Sequence, residues 1–115
     1  MTENRGTIIA SDSGISIRSF ADISEAIGAA IEAEGVIFTE GDLAREFFDL
    51  RTGLAGELFQ KCMNYGIRLA IILPDPEVYG ERISELAYEH RSHNLIRFVS
   101  SKDEAENWLG NYASN

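Results

Sequence analysis

Residues 54–73, LAGELFQKCMNYGIRLAIIL, decide the fold, because they predict a helix followed by a buried strand. Gly66 is well suited to end the helix, since glycine readily adopts the left-handed conformation that is common just after a helix. Residues 68–73 have a continuous apolar centre, which is typical of a parallel strand covered on both faces. The apolar side chains of the helix recur at helical spacing and share one face: Leu54, Leu58, Phe59, Cys62 and Met63.

Strands and helices alternate on both sides of this segment. A helix with an apolar face begins at a capping box formed by Asp22 and Glu25, and a buried strand follows at residues 36–38. Three further elements are predicted downstream: a helix that begins at Asp75 with Pro76 at its first position, a strand at residues 95–99, and a helix with a capping box of Ser101 and Glu104.

The N-terminal residues predict a short hairpin. Residues 7–10 and 15–17 flank Asp12-Ser13-Gly14, a sequence typical of turns between two antiparallel strands. The predicted order is therefore β-β-α-β-α-β-α-β-α. We expect one α/β domain, residues 1–115, in which helices pack on a mixed, largely parallel sheet with an N-terminal hairpin.

Composition excludes several classes of function. Ten Lys and Arg oppose nineteen Asp and Glu, so the net charge is -9, and an acidic surface would repel nucleic acid and anionic membranes. No signal peptide or apolar run long enough to span a bilayer is present, and we expect a cytoplasmic protein. The single cysteine, Cys62, excludes an intrachain disulfide and a metal site built from several cysteines.

The stretch most suited to binding precedes and opens the helix at residues 54–65. Small residues there leave backbone N–H groups approachable, so that an anion or the backbone of a partner could dock. The alternative is that Thr52 simply caps the helix and the glycines permit close packing. The GxxxxGK[ST] spacing of nucleotide-binding loops is absent. The candidate site residues, for phosphorylation, a partner or an anion, are Asp49, Arg51, Thr52, Gly53, Gly56 and Glu57.

Other reactive side chains predict neither a metal site, a cofactor site nor a catalytic centre. His90 extends an apolar helix face and His93 falls in the next loop, with no third ligand at a suitable spacing. Cys62 lies on the apolar face of its helix, where a thiol is inert. A stripe of acids at every fourth residue is expected to be a solvated helix face: Glu77, Glu81, Glu85 and Glu89.

Residues 50–54, Leu-Arg-Thr-Gly-Leu, together with the helix, Gly66 and the strand after it, resemble the central motif of STAS domains, the fold of anti-sigma factor antagonists. In that family a strand leads into Asp-Ser-Ser-Gly-Leu, an amphipathic helix, a glycine and an apolar strand. Residues 94–105 are similar to the last strand and helix of the family. Residues 48–65 are also similar to a small family of uncharacterised bacterial proteins that carry Phe-Asp-Leu-x-Thr-Gly-x-Ala-Gly-Glu, Gln-Lys and Asn-Tyr.

The STAS resemblance implies a non-enzymatic regulatory module that acts by protein–protein contact. In STAS antagonists a partner kinase phosphorylates the Ser or Thr before the helix glycine, and the matching position here is Thr52. A kinase-like or other regulatory partner would then contact residues 49–57. Leu50 stands where the family has Asp, and Arg51 stands where it has the first Ser. The alternative function is binding of a nucleotide, a lipid or a phosphorylated metabolite, and association into a homo-oligomer also stays open.

Overall fold

The computed structural model describes residues 6–31, 33 and 35–113. Within them, four strands form one sheet in the order β1-β2-β3-β4, and every neighbouring pair is parallel. No helix in these ranges is long and apolar enough to cross a bilayer. The strands and α-helices, in chain order, are β1 (Thr7–Ile9), α1 (Phe20–Ala30), β2 (Gly35–Thr39), α2 (Leu54–Tyr65), β3 (Arg68–Ile72), α3 (Glu81–Glu89), β4 (Ile96–Val99) and α4 (Lys102–Ala113).

Helices cover both faces of the sheet, three on one side and one on the other. Right-handed crossovers between parallel strands in sequential order place α1, α2 and α3 on the same face. Their buried side chains, such as Leu58 and Ile83, join Phe38 and Ile71 in the larger core cluster. Since α4 follows the last strand, it is not a crossover, and its Leu109 packs with the opposite face in a second cluster.

The predicted N-terminal hairpin is wrong. After β1 the chain forms a 3₁₀ turn, Ala10–Ser13, and Gly14 follows in the left-handed conformation at φ 71°. The chain then runs alongside the segment that follows β2: Ile17 forms an isolated parallel bridge to Leu43. The N–H of Ile17 donates to the carbonyl of Asp42, and the carbonyl of Ile17 accepts from Ala44. Fully buried Ile17 therefore anchors the loop after β2 instead of pairing with β1.

Helix ends agree with the sequence at the end of α2 and at the start of α4, where the N–H of Glu104 donates to Oγ of Ser101 over 3.1 Å, and they differ at the starts of α1 and α3. As predicted, α2 ends where Gly66 adopts φ 67°. The predicted helix from Pro76 is instead a 3₁₀ turn, Pro76–Tyr79, separated from α3 by Gly80 at φ 104°. Because a residue with that φ interrupts a right-handed helix, residues 76–82 form a bent connection at the end of the sheet.

Gly35 allows β2, β3 and α4 to approach closely. A Cβ built on Gly35 would lie 2.8 Å from the Cδ2 atom of Leu109 and 2.9 Å from the carbonyl oxygen of Arg68. The second of these contacts is with backbone, which cannot rotate away. The glycine is therefore required here for space, since no larger residue fits between the strand and the helix.

Candidate functional site

An open cleft of about 830 Å³ lies beyond the carboxyl ends of β2 and β3. Parallel α/β sheets commonly bind ligands at this edge, because the loops that follow the strands converge there. Three chain segments form its walls: residues 40–43, which follow β2, residues 45–51, and residues 78–82, which open α3. Its lining is Glu40, Leu43, Arg45, Phe48, Asp49, Leu50, Arg51, Val78, Tyr79, Gly80, Glu81 and Arg82.

Aromatic stacking joins two of these walls. The ring of Phe48 stacks on that of Tyr79 with centroids 4.0 Å apart and an interplanar angle of 14°. Phe47, next to it, is buried edge-on against Phe48 and against Phe59 of α2. Burial raises the pKa of the Tyr79 hydroxyl, and the charge of Glu40 and a hydrogen bond to it add to that effect. The aromatic wall is thus fixed to the core, with the Tyr79 hydroxyl held by Glu40.

Arg51 and Asp49 neutralise one another at the rim of the cleft. The Arg51 guanidinium donates to both carboxylate oxygens of Asp49, over 3.0 Å from Nε and 2.9 Å from Nη2. The backbone N–H of Arg51 donates to Oδ1 as well, over 3.1 Å. These hydrogen bonds lower the pKa of Asp49 and raise that of Arg51. Because the Arg51 side chain is 87% exposed, this pair shapes the loop more than it stabilises the fold.

Arg45 and Arg82 differ from Arg51 because neither forms an ion pair within the described part of the chain. Among the residues that the structure describes, neither has a carboxylate within 4.0 Å of its guanidinium. Among the described residues, the cleft lining contains three arginines and three carboxylates, so its formal charge is zero although the whole chain carries -9. The excess of acidic residues therefore lies outside the cleft. Inside the cleft, the side chains of Arg45 and Arg82 remain available to a ligand.

Thr52 holds the corner beside the cleft together. Its hydroxyl donates to the carbonyl oxygens of Glu46, at 2.8 Å, and Asp49, at 2.9 Å, and accepts from the N–H of Leu54 at 3.3 Å. Thr52 is exposed, but it is not the N-cap of α2: Gly53 occupies that position with φ 84°. The interpretation of Thr52 as the N-cap of α2 is therefore wrong by one residue. The N-cap position has a positive φ, which only glycine adopts without strain.

The remaining predicted site residues, Gly53, Gly56 and Glu57, lie at the N-cap and in the first turn of α2, outside the cleft lining. A Cβ on Gly56 would meet no atom within 4 Å, and one on Gly53 would meet only the Phe20 ring, at 3.7 Å. The carboxylate of Glu57 lies 3.7 Å from the Lys61 ammonium, one turn along the helix. Of the six candidate residues, Asp49 and Arg51 therefore line the cleft, and Thr52 supports it through the carbonyl of Asp49.

Sequence reasoning missed the other half of the cleft. Glu40 and Arg45 follow β2, while Tyr79 and Arg82 follow β3. A usable signal was their position after consecutive buried strands, since the carboxyl ends of parallel strands meet at one edge. The predicted helix from Pro76 hid this signal, because it made residues 76–82 part of a helix instead of a loop after β3.

The other reactive groups offer no chemistry to the cleft. Cys62 is buried, and burial raises the pKa of its thiol to about 12, so that it stays protonated at neutral pH. Nδ1 of His93 accepts hydrogen bonds from the N–H groups of Leu95 and Ile96, which leaves the ring proton on Nε2 and no free lone pair for a metal ion. Within the described ranges, no three His, Cys, Asp or Glu side chains are grouped to hold a metal.

Comparison with curated proteins found no match, and comparison with solved structures found none either. One family model does match, over residues 2–109, and its description is domain of unknown function DUF4180. It covers nearly the whole chain, including every segment that lines the cleft. The chain, whose α/β fold contains a four-stranded parallel sheet, therefore belongs to the DUF4180 family.

Proposed function

We propose that the protein is a binding domain whose cleft takes a small molecule that carries a carboxylate or phosphate group. The observation that carries this proposal is that Arg45 and Arg82 line one cleft and have no carboxylate partner among the residues that the structure describes. A guanidinium presents a fork of N–H donors that matches the oxygens of both anions, and hydrogen bonds to charged groups are the stronger class.

Three features of the cleft support a small ligand over a macromolecule. Its volume of about 830 Å³ lies within the range of small-molecule sites. Its wall includes the stacked rings of Phe48 and Tyr79, which would bury the apolar part of a ligand. Its formal charge of zero, in a chain of net charge -9, spares an anion the repulsion it would meet elsewhere on the surface.

We propose binding without catalysis. In the described part of the chain, the cleft lining holds no Ser, Thr, Cys, His or Lys side chain that could serve as a nucleophile or as a base that titrates near neutral pH. Cys62 is buried under α2. The carboxylates of the lining are exposed or already accept hydrogen bonds, as Asp49 does from Arg51. A ligand would thus be held and released unchanged.

A thermal-shift screen tests the proposal, with inorganic phosphate, citrate and a set of phosphorylated and carboxylated metabolites as probes. A ligand that binds only the folded state raises its stability, by about 2.7 kcal/mol at a hundred times Kd. We expect the shift to shrink in Arg45→Gln and Arg82→Gln and to persist in Arg18→Gln, which removes the same charge from a surface outside the cleft lining. If the ligand-induced thermal shift decreased equally in all three variants, the binding would be nonspecific electrostatic attraction. If no probe shifted the melting temperature of the unaltered protein, that result would contradict a small-anion site.

A second function, control by a protein partner through Thr52, is favoured by the hydrogen bonds of that residue. A kinase would transfer the γ-phosphoryl group of ATP to Oγ1, with loss of the hydroxyl proton and release of ADP. The modified residue could no longer donate to the carbonyls of Glu46 and Asp49. It would instead place about -1.5 to -2 charge beside them. The corner would open, and with it the wall that carries Asp49 and Arg51.

Isolation of the tagged protein after mild cross-linking tests this second function. Mass spectrometry of the isolate would detect a phosphorylated Thr52 together with a co-purifying kinase or regulator. Unmodified Thr52 without a stoichiometric partner would contradict the phosphorylation switch and leave the small-anion proposal standing.

A further inference from the structure

We propose that His93 is an acid-sensitive cap on the start of β4, which holds the strand while the imidazole is neutral and releases it on protonation. The cap consists of Nδ1 of His93 and the backbone N–H groups of Leu95 and Ile96. It lies outside the cleft lining and is independent of the proposed function.

The geometry requires a neutral ring. Nδ1 of His93 accepts from the N–H of Leu95 over 3.0 Å and from that of Ile96 over 3.1 Å. An imidazole nitrogen accepts only when it carries no proton, so the ring is the Nε2–H tautomer. Protonation at Nδ1 would turn an acceptor into a donor that faces two other donors. Both hydrogen bonds would be lost at once.

The cap stands where β4 joins the sheet. The carbonyl of Leu95 accepts from the N–H of Leu69 in β3 over 2.7 Å, directly beside the capped amides. Ile96 is fully buried and begins β4. His93 itself is half-buried, so protons can reach it. Loss of the cap would therefore loosen the first pairing between β3 and β4, not a remote loop.

The charged neighbours of His93 all oppose its protonation. His90, at the end of α3, stacks on it with ring centroids 5.1 Å apart. Arg97 of β4 donates from Nε to the carbonyl of His93 over 2.9 Å, which fixes a permanent cation nearby. Burial lowers the pKa of His93 below 6.5, and the charges of His90 and Arg97 lower it further. Within the described ranges, no carboxylate contributes to this shift.

His90 differs from His93 in a way that makes it a control. Its Nδ1 lies 2.9 Å from the carbonyl oxygen of Leu86, which it can approach only as a donor, so Nδ1 already carries a proton. The ring also packs against Phe59 and Phe98. Protonation of His90 at Nε2 would leave its hydrogen bond to Leu86 intact. The two histidines of one turn thus respond to acid differently.

The sign of the pH effect follows from the lowered pKa. Below pH 6.5 the unfolded or released histidine binds a proton that the capped one does not. The cap therefore stabilises the start of β4 fully above pH 6.5. This stabilisation is lost as the pH falls through the pKa of His93 in the folded protein. Each unit by which the pKa of His93 in the folded protein lies below 6.5 corresponds to an increase of about tenfold in the equilibrium constant for opening of the cap at low pH.

NMR of the whole chain tests the proposal. Nitrogen-15 shifts of the ring should show the Nε2–H tautomer for His93 and a pKa below 6.5. Between pH 7 and about pH 5, we expect hydrogen-exchange protection of the Leu95 and Ile96 amides to fall relative to that of Phe38 in β2. A pKa at or above 6.5, or unchanged relative protection, would overturn the proposal.

Two variants separate the cap from a general acid effect. In His93→Asn, the side-chain oxygen can accept from the N–H two residues on, as in an Asx turn, but it does not titrate. We expect this variant to keep the protection of Leu95 at pH 7 and to lose its fall at low pH. His90→Gln should retain the fall. A fall that persists in His93→Asn would refute the cap, and if that variant does not fold, the ring titration of the unaltered protein decides.

Discussion

Replacement of Thr52 by valine isolates the contribution of one hydroxyl to the corner beside the cleft. Valine has the same shape as threonine and the same branching at Cβ, so the substitution removes hydrogen bonds without a change in packing. It deletes the donor to the carbonyls of Glu46 and Asp49 and the acceptor for the N–H of Leu54. Thr52→Ser retains all three interactions and is the matched control.

The expected loss is about 1 kcal/mol. A hydroxyl carries one hydrogen, so the two donated bonds are alternatives and count as one, while the accepted bond is long at 3.3 Å. Neither carbonyl is stranded, because the oxygen of Glu46 also accepts from the N–H of Asp49, and that of Asp49 from the N–H of Thr52. The residue is exposed, so water replaces part of what is lost. For a chain of this size, 1 kcal/mol lowers Tm by about 3–6 °C.

Urea unfolding followed by circular dichroism measures this loss as a shift in the midpoint at constant slope. Thr52→Ser should lie within error of the unaltered protein. Thr52→Glu should lose more than Thr52→Val, because its carboxylate would face the same carbonyl oxygens beside the charge of Asp49. Equal stability of the valine and threonine proteins would refute the assigned role of the hydroxyl. A loss of the same size in Thr52→Ser, which keeps the hydroxyl, would show that the loss in Thr52→Val does not report on the hydroxyl alone.

Two further predictions concern glycine and cysteine. Gly35→Ala should destabilise the fold by about 1–3 kcal/mol, because the added Cβ would lie 2.9 Å from the Arg68 carbonyl oxygen. Gly56→Ala should instead stabilise the fold by up to about 1 kcal/mol, because Gly56 lies on an open helix surface. A urea midpoint of Gly35→Ala that equals or exceeds that of the unaltered protein would contradict the packing described around Gly35. Cys62 should not react with a thiol reagent at about pH 8 until the protein unfolds, because burial raises its pKa to about 12. A stoichiometric reaction of the folded protein would show that the thiol is accessible.

Patterns in the sequence predicted the centre of the fold because there local and tertiary preferences agree. The spacing of apolar residues in α2 and the glycine at its end, Gly66, both favour a helix with the same bounds and nearly the same buried face as the helix that packs on the sheet. At the N-terminus they do not agree: Asp12-Ser13-Gly14 forms a turn, as its composition indicates, but Ile17 pairs with Leu43, 26 positions along the chain. Periodicity within a short window cannot report such a pairing.

The candidate site was predicted in part for the same reason. Asp49 and Arg51 belong to the stretch that the sequence singles out, and they do line the cleft. Arg45 and Arg82 come from segments that meet only when β2 and β3 align, and nothing in their local sequence marks them. Gly56 was singled out for its small size, yet it faces open space on α2.

The most direct test of anion binding in the cleft is observation of the arginine side chains themselves. Nε–Hε resonances of Arg45, Arg82 and Arg18 can be followed by NMR while inorganic phosphate, citrate and the strongest ligand from the thermal-shift screen are added in turn. We expect saturable shifts at Arg45 and Arg82, no saturable shift at Arg18, and a Kd at least about tenfold weaker after Arg82→Gln. Resonances of Arg45 and Arg82 that do not move, or that move only as Arg18 does, would contradict the proposal that this cleft binds an anion.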